Sequence, residues 1–297
     1  MTQIEINGGN DKKTKNRFDN NVENTWCPGC GNFGIQNAIK DALNDMDLNP
    51  EDVLLVSGIG QAAKMPHYIK ANGLNGLHGR GLPLAFGAYV ANPDLKIFLS
   101  TGDGDAYGEG GNHFIHNIRR NLDIVHMVHD NQVYGLTKGQ ASPTTAKGQK
   151  TTLQVRGVRL NPLNPVAMAV SIGASFVARA FSGDQDHLKE IIKQAMDHKG
   201  YALIDIMQPC VTFNKVNTYK WYKDRIYQLP EDYDPTNMQT AFAKALEWGD
   251  DGIPVGVIYK NDQPTYLERV DHLKDFKPLA KRNRTPMDIH TILDSFK

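Results

Sequence analysis

The stretch TGDGDAYGEGG, Thr101 to Gly111, follows the apolar run LKIFLS and holds five glycines and two aspartates. Glycine loses more freedom on folding than any other residue, so such density needs a backbone reason. A dinucleotide-binding loop reads GxGxxG. Here Gly102, Gly104 and Gly108 give GxGxxxG, the wrong spacing. A P-loop ends in Gly-Lys-Ser/Thr, and no such lysine follows. What the stretch does supply is Asp103 at the carboxyl end of a strand, the end at which open α/β sheets bind ligands.

One strand further on, DIVHMVHD (123–130) runs into NQVYGLT, which puts the Asn131 amide oxygen at the end of a neighbouring strand. A carboxylate, an amide oxygen and a backbone carbonyl together suit a hard cation such as magnesium, which keeps further positions for water and phosphate oxygens. The glycines let backbone amides approach a diphosphate where the EGGNHF helix starts. A blander reading, a turn whose aspartates cap a helix, accounts for the glycines and aspartates taken alone. The interval from Asp103 to Asn131, one strand–helix–strand step, is what favours the metal.

The rest of the chain bounds the class. Its 297 residues are 40% hydrophobic and 22% charged, with 33 basic and 33 acidic side chains. That balance gives no field directed at nucleic acid or an anionic membrane. No apolar run approaches the roughly 18 residues of a membrane helix. The polar start, MTQIEINGGNDKK, lacks the apolar core of a secretory signal, so the expected location is cytoplasmic. Short apolar runs at 53–58, 96–101, 123–130, SFVARAF and YALIDIMQ alternate with helical patterns such as PLAFGAYVA, PVAMAVSIG and DQDHLKEIIKQAMDHK. This predicts an α/β fold, a parallel sheet with helices on both faces. Residues 1–20 read as a loose polar arm, 21–225 as the main domain and 226–297 as a C-terminal extension, with MQTAFAKALEWG helical and IPVGVIYK a possible edge strand.

Asp-Gly followed by Asn after one such step resembles the thiamine-diphosphate motif, and the likeness extends further. WCPGCGNFGI (26–35), GIGQAAKMPHY (58–68), GLHGRGLPLAFGA (76–88), GDGDAYGEGGNHFIHNIRRN (102–121) and DNQVYGLTKGQASPT (130–144) occur in that order. Together, over roughly residues 25 to 220, they resemble the β subunit of 2-oxoacid:ferredoxin oxidoreductases.

The resemblance implies a thiamine-diphosphate-binding fold that carries the diphosphate half of a shared site. A partner α subunit supplies the pyrimidine half, so the chain is expected to be inactive alone. It implies coenzyme A-dependent oxidative decarboxylation of a 2-oxoacid, with electrons passed to ferredoxin. By motif position, Asp103, Asn131 and the Val133 carbonyl match magnesium ligands. Ile59, Gly60, Gln61, Ala62, His78, Gly104, Asp105, Gly135 and Leu136 match positions that meet the cofactor. Lys64 and Lys138 fall near the substrate and its covering loop, where a lysine can hold the distal carboxylate of 2-oxoglutarate, a contact pyruvate lacks. The remaining histidines, His113, His116, His126 and His129, read as structural, and Arg119 and Arg120 as ion-pair or interface residues.

The cysteines depart from the family. Cys27 and Cys30 match its CxxC pair and Cys210 its downstream cluster ligand, but Gln61 stands where the fourth cysteine belongs, and the chain has only three cysteines. Clusters are normally held by four thiolates, and an amide is a harder ligand than a thiolate. A three-iron cluster, a four-iron cluster with a non-cysteine ligand, and no cluster at all remain as outcomes. Two other functions compete: a non-oxidative thiamine-diphosphate decarboxylase or synthase subunit without a cluster, and a binding module using CPGC for zinc.

Overall fold

Along strand β1 (Val53–Ser57), Val53 and Leu55 face one side of the sheet and Leu54 and Val56 the other, and all five residues are buried. A strand apolar on both faces needs cover on both, which is why this sheet is central to the fold. The structure, a computed structural model, describes residues 16–274, 277–283 and 288–297. The later strands are β2 (Asn72–Asn75), β3 (Lys96–Gly102), β4 (Ile124–Asp130), β5 (Val133–Tyr134), β6 (Gln140–Ala141), β7 (Phe176–Phe181), β8 (Tyr201–Met207), β9 (Ile226–Gln228) and β10 (Ile253–Lys260). Eight of them form one sheet in the order β2-β1-β3-β4-β8-β7-β10-β9, parallel at every pairing except β7 with β10. Strands β5 and β6 form a separate hairpin.

Helices cover the two faces. The α1 helix (Asn32–Asp45), α2 (Met65–Tyr68) and α6 (Gln185–Asp197) pack their apolar stripes on one side, through Ile35, Ile39, Met65, Leu188 and Ile192. On the other side lie α3 (Gly81–Ala91), α4 (Gly111–Arg120), α5 (Pro165–Ser171) and α8 (Met238–Leu246), with Leu82, Phe114, Val170 and Ala241 in the core. A short α7 (Tyr219–Lys223) closes the far edge through Tyr222. Each fully buried Leu, Ile or Phe contributes on the order of 1.5–3 kcal/mol by leaving water. Helix starts are capped as their sequences suggest: Asp184 accepts from the His187 amide and Asn164 from that of Ala167.

Several expectations need revision. Residues 1–15 of the expected arm lie outside the described residues, but its end is anchored. Phe18 is fully buried in the α1 face of the core, and Lys40 pairs with Asp19 at 2.9 Å. IPVGVIYK is no edge strand. It is β10, held between β7 and β9, because Ile253, Val255, Ile258 and Tyr259 are all buried. The C-terminal region therefore completes the main sheet. Within the glycine stretch, Gly104–Glu109 forms a π turn, with Gly110 N bonded to Asp105 O at 2.9 Å, that runs into α4.

Candidate functional site

The carboxyl ends of β1, β3 and β4 lie side by side, with Ser57 in register with Ser100 and Gly102 with His129. The chain leaves the sheet at all three, and a cleft opens there. Its wall contains Ile59, Gly60, Gln61, Ala62, His78, Asp103, Gly104, Asp105, Asn131, Val133, Gly135 and Leu136. The fold thus brings together all twelve residues expected at the cofactor or its metal. It adds Gly102, Tyr134 and Thr137, which the sequence reading missed.

The glycines divide into two groups. At Gly104 and Gly108 a β-carbon would strike the Tyr134 side chain, so these two seat the aromatic ring over the turn. Gly60 and Gly102 line the cleft and a β-carbon on either would meet nothing within 4 Å, and Gly60 also has φ +128°. The bare backbone at these two positions fits a bulky anion against the start of the helical run at Gly104.

Asp103 is 1% exposed and its Oδ2 accepts a hydrogen bond from Thr144 Oγ1 at 2.6 Å. The same hydroxyl lies 2.8 Å from Asp130 Oδ1. That Asp130 oxygen also accepts from Gln132 N at 3.2 Å. Burial, then the charges of Asp205 and Asp103, push Asp130 well above the usual carboxylate range. Burial also raises Asp103, and hydrogen bonds from Ser142 and Thr144 hold it down. The amide of Asn131 is fixed at both ends: Nδ2 donates to Gln208 Oε1 and Oδ1 accepts from Val133 N, each at 3.0 Å. The donor set of a buried carboxylate, an amide oxygen and a nearby carbonyl fits magnesium.

Asp105 lines the cleft, and one oxygen of its carboxylate is taken by the protein. Oδ1 accepts from Gly79 N at 2.6 Å and lies 2.7 Å from His78 Nδ1, while a β-carbon on Gly58 would clash with Oδ2. Burial raises its pKa, and the bonds from Gly79, His78 and Ile59 counter that. On the other side of the ring, His78 Nε2 is 3.5 Å from Glu109 Oε2, which also accepts from Tyr134 OH at 3.0 Å.

The three cysteines meet in an adjoining pocket. Cys27, Cys30 and Cys210 line it with Thr25, Trp26, Asn32, Gln61, Asn131, Gln208 and Thr212. Gln61 and Asn131 also line the cofactor cleft, so the two sites share a wall. Burial, with a smaller push from Cys210 and Cys27, raises the Cys30 thiol to about 11. Among the described residues no group of three or more His, Cys, Asp or Glu is arranged to hold a single metal ion. The zinc reading of CPGC therefore has no geometry behind it.

Neither expected lysine lines the cleft. Lys64 Nζ donates to Thr25 Oγ1 at 3.0 Å, beside the cysteine pocket, and Lys138 sits in the turn joining β5 to β6. His126 and His129 are fully buried, with burial driving both down to about 3. Their partners are structural: Thr101 and Tyr201 for His126, Ser100 and Asn32 for His129. Arg120 lies over the Phe86 ring at 5.3 Å and donates to His116 O.

Among the described residues no helix is long and apolar enough to cross a membrane. Residues 57–206 match the family model for the C-terminal thiamine-pyrophosphate-binding domain of thiamine pyrophosphate enzymes. Residues 210–275 match that for the C-terminal part of the pyruvate ferredoxin oxidoreductase β subunit. A 2-oxoacid:ferredoxin oxidoreductase subunit β of a Sulfolobus species is 47% identical over 261 residues, covering 83% of this chain and 85% of its own. Subunit β of 2-oxoacid:ferredoxin oxidoreductase 1 from Aeropyrum pernix is 44% identical over 288 residues, covering 90% of each. Among solved structures, 2-oxoglutarate:ferredoxin oxidoreductase from Magnetococcus marinus, with 2-oxoglutarate, coenzyme A and succinyl-CoA bound, superposes with a TM-score of 0.87 at 35% identity over 94% of each chain.

Proposed function

The chain belongs to the β subunits of the 2-oxoacid:ferredoxin oxidoreductases, and from that premise we propose that its cleft holds the diphosphate of thiamine diphosphate through magnesium. Asp103, Asn131 Oδ1 and the Val133 carbonyl are the ion's protein ligands. What carries this reading is one cleft in which these three groups line the wall beside the bare backbone of Gly60 and Gly102. When bound, thiamine diphosphate supplies the carbon chemistry that removes carbon dioxide from the 2-oxoacid.

The chain's own residues bind and orient. Thr144 holds Asp103 in one rotamer, and Gln208 does the same for Asn131. Asp105 fixes His78, whose Nε2 is the group that reaches toward a phosphate oxygen. Tyr134 covers the turn at Gly104 and Gly108. The exposed Ile59 and Leu136, 40% and 44% accessible, border the cleft and suit cover by the α subunit, which supplies the rest of the pocket.

The favoured substrate is 2-oxoglutarate rather than pyruvate. Support comes from the neighbour from Magnetococcus marinus, named for 2-oxoglutarate, and from the Mycobacterium tuberculosis 2-oxoglutarate oxidoreductase subunit KorB, 41% identical over 197 residues. Lys64 and Lys138 are the cationic candidates for its distal carboxylate. Coenzyme A accepts the acyl group, and ferredoxin the electrons, by way of the cysteine pocket. Residues 21–225 carry the cofactor site, and 226–297 extend the domain through β9 and β10.

The test is calorimetry of thiamine diphosphate binding to the co-expressed αβ complex. Binding that needs magnesium in the wild type and vanishes in Asp103→Ala supports the assignment. Unchanged binding in Asp103→Ala refutes it.

A further inference from the structure

The pocket of the three cysteines is rigidly built before anything enters it. Trp26 Nε1 donates to the Gln61 carbonyl at 2.9 Å, and Gly31 N to that of Pro209 at 3.3 Å. His129 ties the remaining walls together. Its Nδ1 pairs with Asn32 Oδ1 at 2.7 Å and its Nε2 with Ser100 Oγ at 3.0 Å, and Ser100 Oγ donates to Ala62 O at 3.1 Å. Two thiols already accept hydrogen bonds: Cys30 from Gln208 Nε2 at 3.3 Å and Cys27 from Thr212 Oγ1 at 3.1 Å.

The polar side chains of the pocket can then be taken one at a time. The Gln208 amide is used at both ends, by Cys30 and Asn131. That of Asn131 is used by Gln208 and Val133. Thr212 donates to sulfur, and Thr25 Oγ1 bonds Tyr68 OH at 2.8 Å and accepts from Lys64. Gln61 Oε1 is buried and left without a partner. A buried polar atom with no partner is costly. This one is an acceptor and so a possible metal ligand.

We propose that Cys27, Cys30 and Cys210 hold three irons of a four-iron, four-sulfide cluster and that Gln61 Oε1 binds the fourth. The proposal rests on the family reading above, which requires a route for electrons out of the cofactor cleft, and Gln61 stands in the wall between the two sites. The amide binds through a lone pair and releases no proton. The cluster therefore carries one negative charge fewer than with four thiolates, which favours its reduced state.

The experiment uses the anaerobically purified αβ complex in wild-type, Gln61→Ala, Gln61→Glu and Gln61→Cys forms. Iron, sulfide and bound thiamine diphosphate are counted, and paramagnetic resonance spectra are taken before and after dithionite. Expected are about four irons per β chain in the wild type, with a signal only on reduction, and about three irons with a signal in the oxidised form for Gln61→Ala. Gln61→Glu, which keeps an oxygen ligand, retains about four, and Gln61→Cys retains about four with a lower reduction potential. A wild type with about three irons and an oxidised-state signal overturns the inference, as does a Gln61→Ala spectrum identical to wild type. Bound thiamine diphosphate without iron overturns it while leaving the cofactor site standing. Absence of both overturns the functional reading itself.

Discussion

His78 and Asp105 are joined through Nδ1 and Oδ1 at 2.7 Å, and that oxygen also accepts the Gly79 amide. Because Oδ1 is already an acceptor, the hydrogen of the pair belongs to the imidazole. His78 Nε2 is left at the other end of the ring, 3.5 Å from Glu109 Oε2. Asp105→Asn and His78→Gln should each weaken thiamine diphosphate binding about tenfold, or about 1.4 kcal/mol. The double variant should cost less than the sum, since one residue acts through the other. Calorimetry on the three complexes checks this, and strict additivity would show that the two act independently.

The two carboxyls bridged by Thr144 should respond in opposite ways to removal of charge. Asp103→Asn takes away a metal ligand and should abolish magnesium-dependent binding. Asp130→Asn removes no metal ligand and keeps an oxygen that can accept from Thr144 and Gln132, so binding should stay within about threefold, a fraction of 1.4 kcal/mol. Equal losses in both variants would mean that the Asp130 charge serves the ion as much as that of Asp103.

Gly102→Ala offers a test free of folding effects, because its β-carbon meets open space. The melting temperature should move by about 2 °C or less, as surface changes do, while cofactor affinity falls about tenfold or more. Gly60→Ala should show the same loss together with lower stability, since φ +128° strains any side chain. Normal affinity in both variants would place the diphosphate outside this cleft.

Acid should unfold the chain through its buried histidines. His126 falls from its ordinary 6.5 to about 3, so between those values the unfolded chain binds a proton that the folded chain does not, and stability drops as pH falls. His129 acts in the same direction. Asp205, raised from 3.8 to about 6, opposes them in that narrower window, because there the folded state holds the extra proton. His126→Asn should therefore reduce the stability lost per pH unit below 6.5 by about 1.4 kcal/mol. Urea unfolding of the β chain at pH 7, 6 and 5 measures the slope, and an unchanged slope would mean that His126 is protonated in the folded state.

Much of the site was legible in the sequence because its residues sit at strand ends, and strand ends follow from apolar runs. LKIFLS fixes where β3 stops and so where Asp103 emerges, and DIVHMVHD does the same for Asn131. Tyr134 was missed because its role depends on lying over Gly104 and Gly108, a contact that no spacing encodes. Asp105 lines the cleft, as its place beside Asp103 suggested, but its partners His78 and Gly79 come from the turn before α3 and no local spacing encodes them. The position of β10 also escaped, since an eight-residue apolar run reads alike at an edge and inside a sheet.

By itself, the sequence determined the alternation of strand and helix, the family, and the short stretches that line the cleft, since each depends on residues close together in the chain. The tertiary structure decided which groups meet across it. It placed Thr144 between two buried carboxyls, tied Asp105 to His78 and Gly79, and brought Gln61 to the wall shared by the cleft and the three cysteines. Each of these rests on atoms far apart in the chain competing for the same hydrogen bonds away from water, and only the packed fold determines that competition.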